Sequence, residues 1–121
     1  MNNKNWAAKL FQSIDDQDAG AFLDFLSDDV VFRFGNAEPV NGKAAVSTAI
    51  DHFFNSIKSV RHVLSRVWDE EGFVICHGTV TYTRHDATTL SVPFANILEL
   101  RDSLISEYLI FVDVSALYDS P

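Results

Sequence analysis

The sequence predicts an α+β domain in which three helices pack on one face of a curved antiparallel β-sheet. Apolar residues recur at helical spacing in the first half of the chain, and from Val60 onward the chain is rich in β-branched and aromatic residues. Short polar turns divide this second half into four strands. We expect one domain, residues 1–121, because a chain of this length can bury a core without disulfides or metal.

Three segments carry the apolar spacing of helices. The first covers residues 5–16, and Asp18 can cap a second, short helix that runs to Ser27. The third and longest pattern covers residues 43–59. The apolar residues that define the first and third helices are Trp6, Leu10, Phe11, Ile14, Val46, Ile50, Phe53, Phe54 and Ile57.

Five segments have the composition of strands. The first covers residues 30–34, and a loop with Gly35, Pro39 and Gly42 connects it to the long helix. The other four are predicted at residues 60–68, 73–84, 89–101 and 104–115, with turns at 69–72, 85–88 and 101–103.

Alternation along each strand assigns side chains to the two faces of the sheet. In the third strand we place one set against the helices, namely Val74, Cys76, Val80, Tyr82 and Arg84, and the other set, His77, Thr79, Thr81 and Thr83, outside. The last two strands are apolar on both faces. Because the helices cover only one face, we expect the other face to meet a second copy of the chain in a homodimer.

Composition argues against several functional classes. The chain has 9 Lys and Arg against 17 Asp and Glu, with the basic residues scattered singly, so we expect no nucleic-acid partner. Cys76 is the single cysteine, and no segment has the pattern of a secretion signal or a membrane span, so we expect a cytoplasmic protein without a membrane partner. His77 and His85 would lie about 26 Å apart along one strand, and we expect neither metal nor cofactor.

Aromatic residues are unusually numerous. Ten Phe, three Tyr and two Trp provide more aromatic volume than a core of this size needs. The excess predicts either a lined cavity or a surface that binds a partner.

The order of elements and three sequence segments resemble the nuclear transport factor 2-like superfamily, and within it the SnoaL-like branch. The segments are Asp28-Asp29-Val30-Val31-Phe32, then Val40-Asn41-Gly42-Lys43-Ala44-Ala45-Val46, and finally Val92-Pro93-Phe94-Ala95-Asn96-Ile97 with Leu100-Arg101-Asp102. The resemblance implies a cone-shaped, cystatin-like roll whose pocket, between the sheet and the long helix, takes apolar small molecules. Ketosteroid isomerases, polyketide cyclases, limonene epoxide hydrolase and scytalone-type dehydratases share this fold, so the fold alone does not select an activity.

The acid and base residues of a ketosteroid isomerase are missing from the matching positions. The base position falls on Phe34, the Tyr position on Leu10 or Phe11, and the second acid on Ala95 or Phe94. One carboxylate of the epoxide hydrolase pattern is replaced by Ile110. We therefore expect neither of these two mechanisms.

His62 stands at the start of the second strand, where dehydratase-like members of the superfamily place a histidine base. A neutral imidazole suits proton abstraction near neutral pH, although a surface histidine is the commoner role for such a residue. Asn96 places an amide in an apolar strand, where it can hold a substrate carbonyl or bridge a bulge. With the inward-facing Tyr82, these are the predicted catalytic residues for an isomerase-type or lyase-type proton transfer.

The remaining predicted site residues bind the ligand. Arg84 shares the inward face with Tyr82 and either holds an anionic group or packs its stem and leaves its head in water. Trp68 and Tyr108 either line the pocket or fill the core. The predicted ligand-binding residues are Phe34, Phe54, Trp68, Arg84, Ala95, Tyr108 and Ile110.

Two functions remain open at this point. In the first, the aromatic cone binds a hydrophobic small molecule such as an apolar ketone, with cyclase, isomerase or dehydratase chemistry if the domain is catalytic. In the second, the cone is filled by Phe side chains and the domain is a non-catalytic scaffold for dimerisation or protein interaction. An open cavity with polar groups at its floor favours the first function, and a packed cone favours the second.

Overall fold

The structure, a computed structural model, describes the backbone of residues 3–118 and the side chains of residues 5–118. Three helices are present there: α1 (Asn3–Asp15), α2 (Ala19–Leu23) and α3 (Lys43–Ser56). The predicted cap of α2 is confirmed, because the Asp18 carboxylate accepts a hydrogen bond from the backbone N–H of Ala21 at 3.1 Å. The part of α1 predicted at residues 5–16 is confirmed to within one residue at its end.

The sheet has six strands in the order β2-β1-β6-β5-β4-β3, and it is curved without closing. The α+β fold predicted from the sequence is confirmed. The strands are β1 (Leu26–Phe34), β2 (Val40–Asn41), β3 (Ser59–Glu70), β4 (Phe73–Thr83), β5 (Thr89–Arg101) and β6 (Leu104–Val112). Helix α1 contacts β3 and α3 contacts β1, so the helices lie on the concave face.

The first strand differs most from the prediction. The segment predicted as a second helix up to Ser27 is helical only to Leu23, and β1 starts at Leu26. The reason is pairing with β6: the N–H of Ile105 donates to the carbonyl of Phe25 at 2.8 Å, and Leu26 lies opposite Ile105. This pairing is parallel, whereas the sequence predicted antiparallel strands throughout. The short strand β2, which was not predicted, pairs with β1 on its other side.

Two other boundaries also move. Helix α3 ends at Ser56 and not at residue 59, because the N–H of Lys58 already donates to the carbonyl of Thr83 and starts the pairing of β3 with β4. Strand β6 ends at Val112, where the carboxylate of Asp113 accepts the N–H of Ser115 at 3.0 Å and turns the chain.

The core lies between the helices and the concave face. The largest side chains with under 2% exposure are Tyr108, Phe22, Leu10, Leu26, Leu98 and Ile105. The face assignment of β4 is confirmed, since Val74, Cys76, Val80 and Tyr82 are buried. Among the helices of residues 3–118, none has the length and apolar composition needed to cross a membrane.

Candidate active site

A cavity of about 190 Å³ lies inside the curve of the sheet, beneath α1 and α3. Its mouth is at the turn between β1 and β2, where the lining residues Ala37 and Glu38 are exposed to solvent. Six phenylalanines line the walls: Phe11, Phe22, Phe32, Phe34, Phe53 and Phe94. Much of the aromatic excess in the sequence therefore surrounds an open space.

His62, which lines this cavity, forms a hydrogen-bonded pair with Asp15 behind it. The imidazole Nδ1 lies 2.6 Å from Oδ1 of Asp15, and the backbone N–H of His62 donates to Oδ2 of the same carboxylate at 2.9 Å. Because a carboxylate oxygen accepts, Nδ1 carries the proton, and Nε2 keeps the lone pair in the neutral ring. The rings of Phe11 and Phe94 pack against the imidazole, with centroid distances of 4.8 and 5.2 Å.

This pair joins two elements that are far apart in the sequence. Asp15 is the last residue of α1, and α1 packs against β3, which carries His62. Asp15 was not among the predicted site residues, because it lies in the acidic stretch that ends the helix. One signal was available: a carboxylate at a helix C-terminus opposes the helix dipole and so implies a compensating partner.

The pair also borders solvent. Phe11 and His62 line both the cavity and a surface groove between α1 and β3, which Gln12, Asp15 and Arg66 border as well. The side chains of His62 and Asp15 are 11% and 18% exposed. The dyad can therefore exchange protons with water on one side and contact a bound molecule on the other.

Asn96 contributes a buried amide to the same cavity. It lies on the concave face of β5, its residue is 1% exposed, and its Oδ1 accepts no hydrogen bond from the described residues. An unpaired buried carbonyl oxygen costs free energy of folding, about 1–3 kcal/mol. Because Asn96 belongs to the cavity lining, a ligand is a candidate donor to this oxygen.

Two tyrosines line the cavity, Tyr82 on β4 and Tyr108 on β6. Tyr82 lies opposite Val60 on β3, while His62 lies opposite Val80, so Tyr82 is a diagonal neighbour of His62. Burial raises the pKa of Tyr82, with a smaller contribution from Tyr118, and burial also raises the pKa of Tyr108. Both phenols therefore stay protonated and can donate hydrogen bonds.

Of the residues predicted from the sequence, six line the cavity: Phe34, His62, Tyr82, Asn96, Tyr108 and Ile110. Four others lie outside its lining, and their placement in the pocket was wrong. They are Phe54, Trp68, Arg84 and Ala95.

Trp68 and Ala95 point to the convex face. A bulge in β3 between Leu64 and Arg66 reverses the alternation, so Trp68 faces outward, where its ring stacks on His77 at 5.5 Å. Ala95 lies between the inward-facing Phe94 and Asn96, and alternation therefore turns it outward.

Arg84 and Phe54 stabilise the fold outside the cavity. The guanidinium of Arg84 donates to the carbonyls of Leu117 and Ala116, both at 2.9 Å, and so fastens the C-terminal segment. Phe54 is half-buried against the core beside Phe53, whose ring reaches the cavity.

The charges in the cavity wall are few. Glu38 and His62 are the ionisable lining residues other than tyrosine, and Lys and Arg are absent from the described lining. The described residues contain no group of three or more His, Cys, Asp or Glu side chains placed to hold a metal ion. Cys76 is buried, and burial raises the pKa of its thiol to about 12, so it is not a reactive nucleophile.

A model of the SnoaL-like domain family matches residues 7–108 of this chain. No curated protein sequence matches it. The fold is similar to that of an NTF2-like protein of unknown function from Burkholderia pseudomallei, with a TM-score of 0.86 at 14% identity over 97% of this chain and 95% of the other.

Two further solved structures share the fold. A candidate SnoaL-like polyketide cyclase from Shewanella putrefaciens has a TM-score of 0.81 at 12% identity, over 97% of this chain and 93% of the other. A protein with a ketosteroid isomerase-like fold from Catenulispora acidiphila, crystallised with trimethylamine, has a TM-score of 0.82 at 14% identity, over 90% and 85%. At such identities the likeness concerns the fold.

Proposed function

This chain belongs to the SnoaL-like domain family, and we propose that its cone binds a hydrophobic small molecule to which His62 transfers, or from which it removes, a proton. The open cavity with a buried amide in its wall supports binding over the scaffold alternative, for which a filled cone is expected. The polyketide cyclase-like and isomerase-like neighbours are consistent with such a role.

The His62–Asp15 pair carries the catalytic part of the proposal. The carboxylate fixes the ring with Nδ1–H toward Asp15, which leaves Nε2 as the nitrogen that can accept a proton from a ligand. This is the arrangement in which a buried or half-buried carboxylate orients an imidazole base and stabilises the imidazolium. The His62 imidazole takes the place of the carboxylate base that the chain lacks at Phe34.

The reaction class follows from these groups. Nε2 of His62 takes a proton from the carbon beside a substrate carbonyl, and the electron pair moves into the carbonyl to form an enolate. The neutral phenol of Tyr82, diagonal to His62, donates a hydrogen bond to a developing oxyanion. The imidazolium then returns the proton, either to another carbon or to a leaving hydroxyl.

Deuterium incorporation tests this without a known substrate. The purified protein is incubated in D₂O with a panel of one-ring to three-ring ketones, and mass spectrometry follows exchange of the protons beside the carbonyl. We expect catalysed exchange of at least one ketone, and His62→Ala should lower it by about 10²-fold or more. The matched control His52→Ala removes an exposed histidine on α3 and should leave exchange unchanged.

Two outcomes would contradict the proposal. Exchange at the buffer rate for every ketone, together with no shift in melting temperature by any of them, would favour the scaffold alternative. Exchange that His62→Ala leaves unchanged would remove His62 from the mechanism while keeping the binding cone.

We also propose that the chain is a homodimer through the convex face of the sheet. One row of apolar residues crosses four strands there, since Trp68, Ile75, Ile97 and Leu109 lie opposite one another in turn. Phe111, two residues beyond Leu109 on β6, adds to this face and is 54% exposed, and Trp68 is 44% exposed. An apolar face of this extent is typical of an interface.

Light scattering after size exclusion tests the dimer. We expect a mass of two chains for the wild type and of one chain for Phe111→Glu. The control Tyr118→Glu changes an equally exposed aromatic residue that bonds Ser56 near the end of α3, and it should stay dimeric. A monomeric wild type, or a dimer that Phe111→Glu leaves intact, would refute this interface.

A further inference from the structure

We infer that the cone selects a compact, neutral molecule of one or two rings that carries a hydroxyl group, such as a hydroxyl-bearing ketone, and that this hydroxyl donates to Oδ1 of Asn96. The inference rests on the proposed binding function of the cavity. It adds the chemical class of the ligand and the atom that recognises it.

The amide oxygen of Asn96 calls for a hydrogen-bond donor. Asn96 belongs to the lining of the cavity, its side chain is buried, and its Oδ1 has no donor among the described residues. A carbonyl oxygen in this position is satisfied by a donor, and a ligand ketone has none to offer. The group that complements Oδ1 of Asn96 is therefore a hydroxyl.

The cavity lining offers no cation to an anionic ligand. Lys and Arg are absent from the described lining, and the carboxylate of Glu38 lies at the mouth. His62 already faces the carboxylate of Asp15. A ligand carboxylate or phosphate inside the cone would lose its hydration without gaining a cation, which is unfavourable. The ligand is therefore neutral inside the cavity.

The volume of the cavity limits the size of the ligand. An apolar cavity of about 150 Å³ holds a benzene molecule, whereas sites for drug-sized ligands begin at about 300 Å³. At about 190 Å³ the cone accommodates one or two rings and excludes a four-ring steroid. The aromatic walls, with Phe94 between His62 and Asn96, favour a flat ring system.

The register of the sheet shows how both polar groups can reach one ligand. His62 faces Val80, and Val80 faces Val92 on β5, so Asn96 lies four residues farther along that strand, a rise of about 13 Å. The two side chains occupy part of this span. Asn96 and His62 therefore contact opposite ends of a ring system and not the same atom, so Asn96 anchors the molecule while His62 faces its other end.

Titration calorimetry with matched probes tests the inference. The probes are 2-naphthol, its methyl ether 2-methoxynaphthalene, 2-naphthoate, and the steroid androstenedione. We expect 2-naphthol to bind about tenfold more tightly than the ether, as one neutral hydrogen bond allows. We expect 2-naphthoate and the steroid to bind more weakly than 2-naphthol.

A variant assigns the preference to Asn96. Asn96→Leu is close in shape and removes the acceptor, so 2-naphthol should fall to the affinity of the ether while the ether keeps its own. The control Asn55→Leu changes an exposed amide near the end of α3, outside the cavity lining, and should preserve the tenfold preference. The wild-type comparison decides the ligand class even if a variant folds poorly.

The outcomes separate this inference from the function on which it rests. Equal affinity for naphthol and ether, tighter binding of naphthoate, or tight binding of the steroid would overturn the inference and leave a binding cone in place. A preference for naphthol that survives Asn96→Leu would move the recognition to another residue. No binding of any probe would overturn both the inference and the binding function.

Discussion

Gly78 on β4 packs directly against the backbone carbonyl of Val63 on β3, at the point where β3 bulges. A Cβ at position 78 would overlap the Val63 carbonyl oxygen and stand 3.0 Å from Cα of Leu64. The bulge between Leu64 and Arg66 follows at once. Bulges bend a strand and increase its twist, so this contact helps to curve the sheet around the cavity and to orient His62.

Gly78→Ala should therefore destabilise the domain. The clash involves backbone on both sides and cannot be relieved by a rotamer change, so we expect the free energy of unfolding to fall by at least about 2 kcal/mol in urea titrations. Gly20→Ala is the matched control: its Cβ would meet the Asp18 carboxylate at an ordinary 3.7 Å in α2, and it should be neutral or stabilising. Equal stability of the two variants would contradict the role of Gly78.

The hydrogen bond between Asp15 and His62 predicts a specific tautomer. Nitrogen-15 spectra of the histidine side chains should show the neutral His62 ring protonated at Nδ1 in the wild type, because Oδ1 of Asp15 accepts that proton. Asp15→Ala should release this constraint and shift the ring toward the Nε2–H form. Asp16→Ala removes the neighbouring exposed carboxylate, which accepts from Gln12, and should leave the His62 signals in place.

A wild-type ring protonated at Nε2 would refute this geometry. It would also remove the free Nε2 on which the proposed proton transfer depends, so the spectrum tests the mechanism before any substrate is known.

The first and third helices and the last four strands were predictable because their patterns are local. Apolar spacing in α1 and the turn before β5 need no knowledge of distant residues. The parallel pairing of β1 with β6 was not predictable, and neither was the identity of the partner of Asp15, because no periodicity relates positions as distant as Asp15 and His62, 47 residues apart. Trp68 was misplaced for a different reason: a single bulge reverses strand alternation, and the bulge left no recognised signal in the sequence.

Arg84 is expected to act on stability and not on ligand binding. Its Nε and Nη2 donate to the carbonyls of Leu117 and Ala116, and Leu117 is buried in the core. Arg84→Ala should lower the free energy of unfolding by about 1–2 kcal/mol and speed amide exchange at Leu117. Arg84→Lys should restore little, because an ammonium cannot reproduce the planar fork.

The control for this effect is Arg61→Ala, which removes an exposed arginine from β3 and should change neither quantity. If Arg84→Ala kept the free energy of unfolding of the wild type but bound 2-naphthol more weakly, Arg84 would have to be assigned to the ligand site.

Buried protonated groups predict that the domain loses stability in alkali. Burial raises the pKa of Cys76 from 9.0 to about 12 and raises the pKa values of Tyr82 and Tyr108. Above about pH 9 the unfolded chain releases protons that the folded chain keeps, so the free energy of unfolding falls as the pH rises. Urea midpoints measured between about pH 8 and pH 10.5 should decline.

The thiol gives an independent check on this pH dependence. Cys76 should react with a thiol reagent at about pH 8 only after denaturant is added. Cys76→Ala should make the alkaline decline shallower, since it removes one of the three buried groups. A flat stability profile, or rapid labelling of the folded protein, would contradict the burial of this group.

Because the oxygen of Asn96 is unpaired, we expect that removing it weakens ligand binding but raises the stability of the unliganded domain. Asn96→Leu replaces a buried carbonyl oxygen without a described donor by an apolar group of similar shape, so we expect the unliganded domain to gain about 1 kcal/mol in free energy of unfolding. That gain raises the melting temperature by about 4 °C for a domain of this size. Ser13→Ala is the opposing control, because the buried Ser13 hydroxyl donates to the carbonyl of Leu10 at 2.5 Å, and its loss brings no such gain. A destabilised Asn96→Leu would mean that the amide already has hydrogen-bond partners within the fold, and its oxygen would then not be free to accept from a ligand hydroxyl.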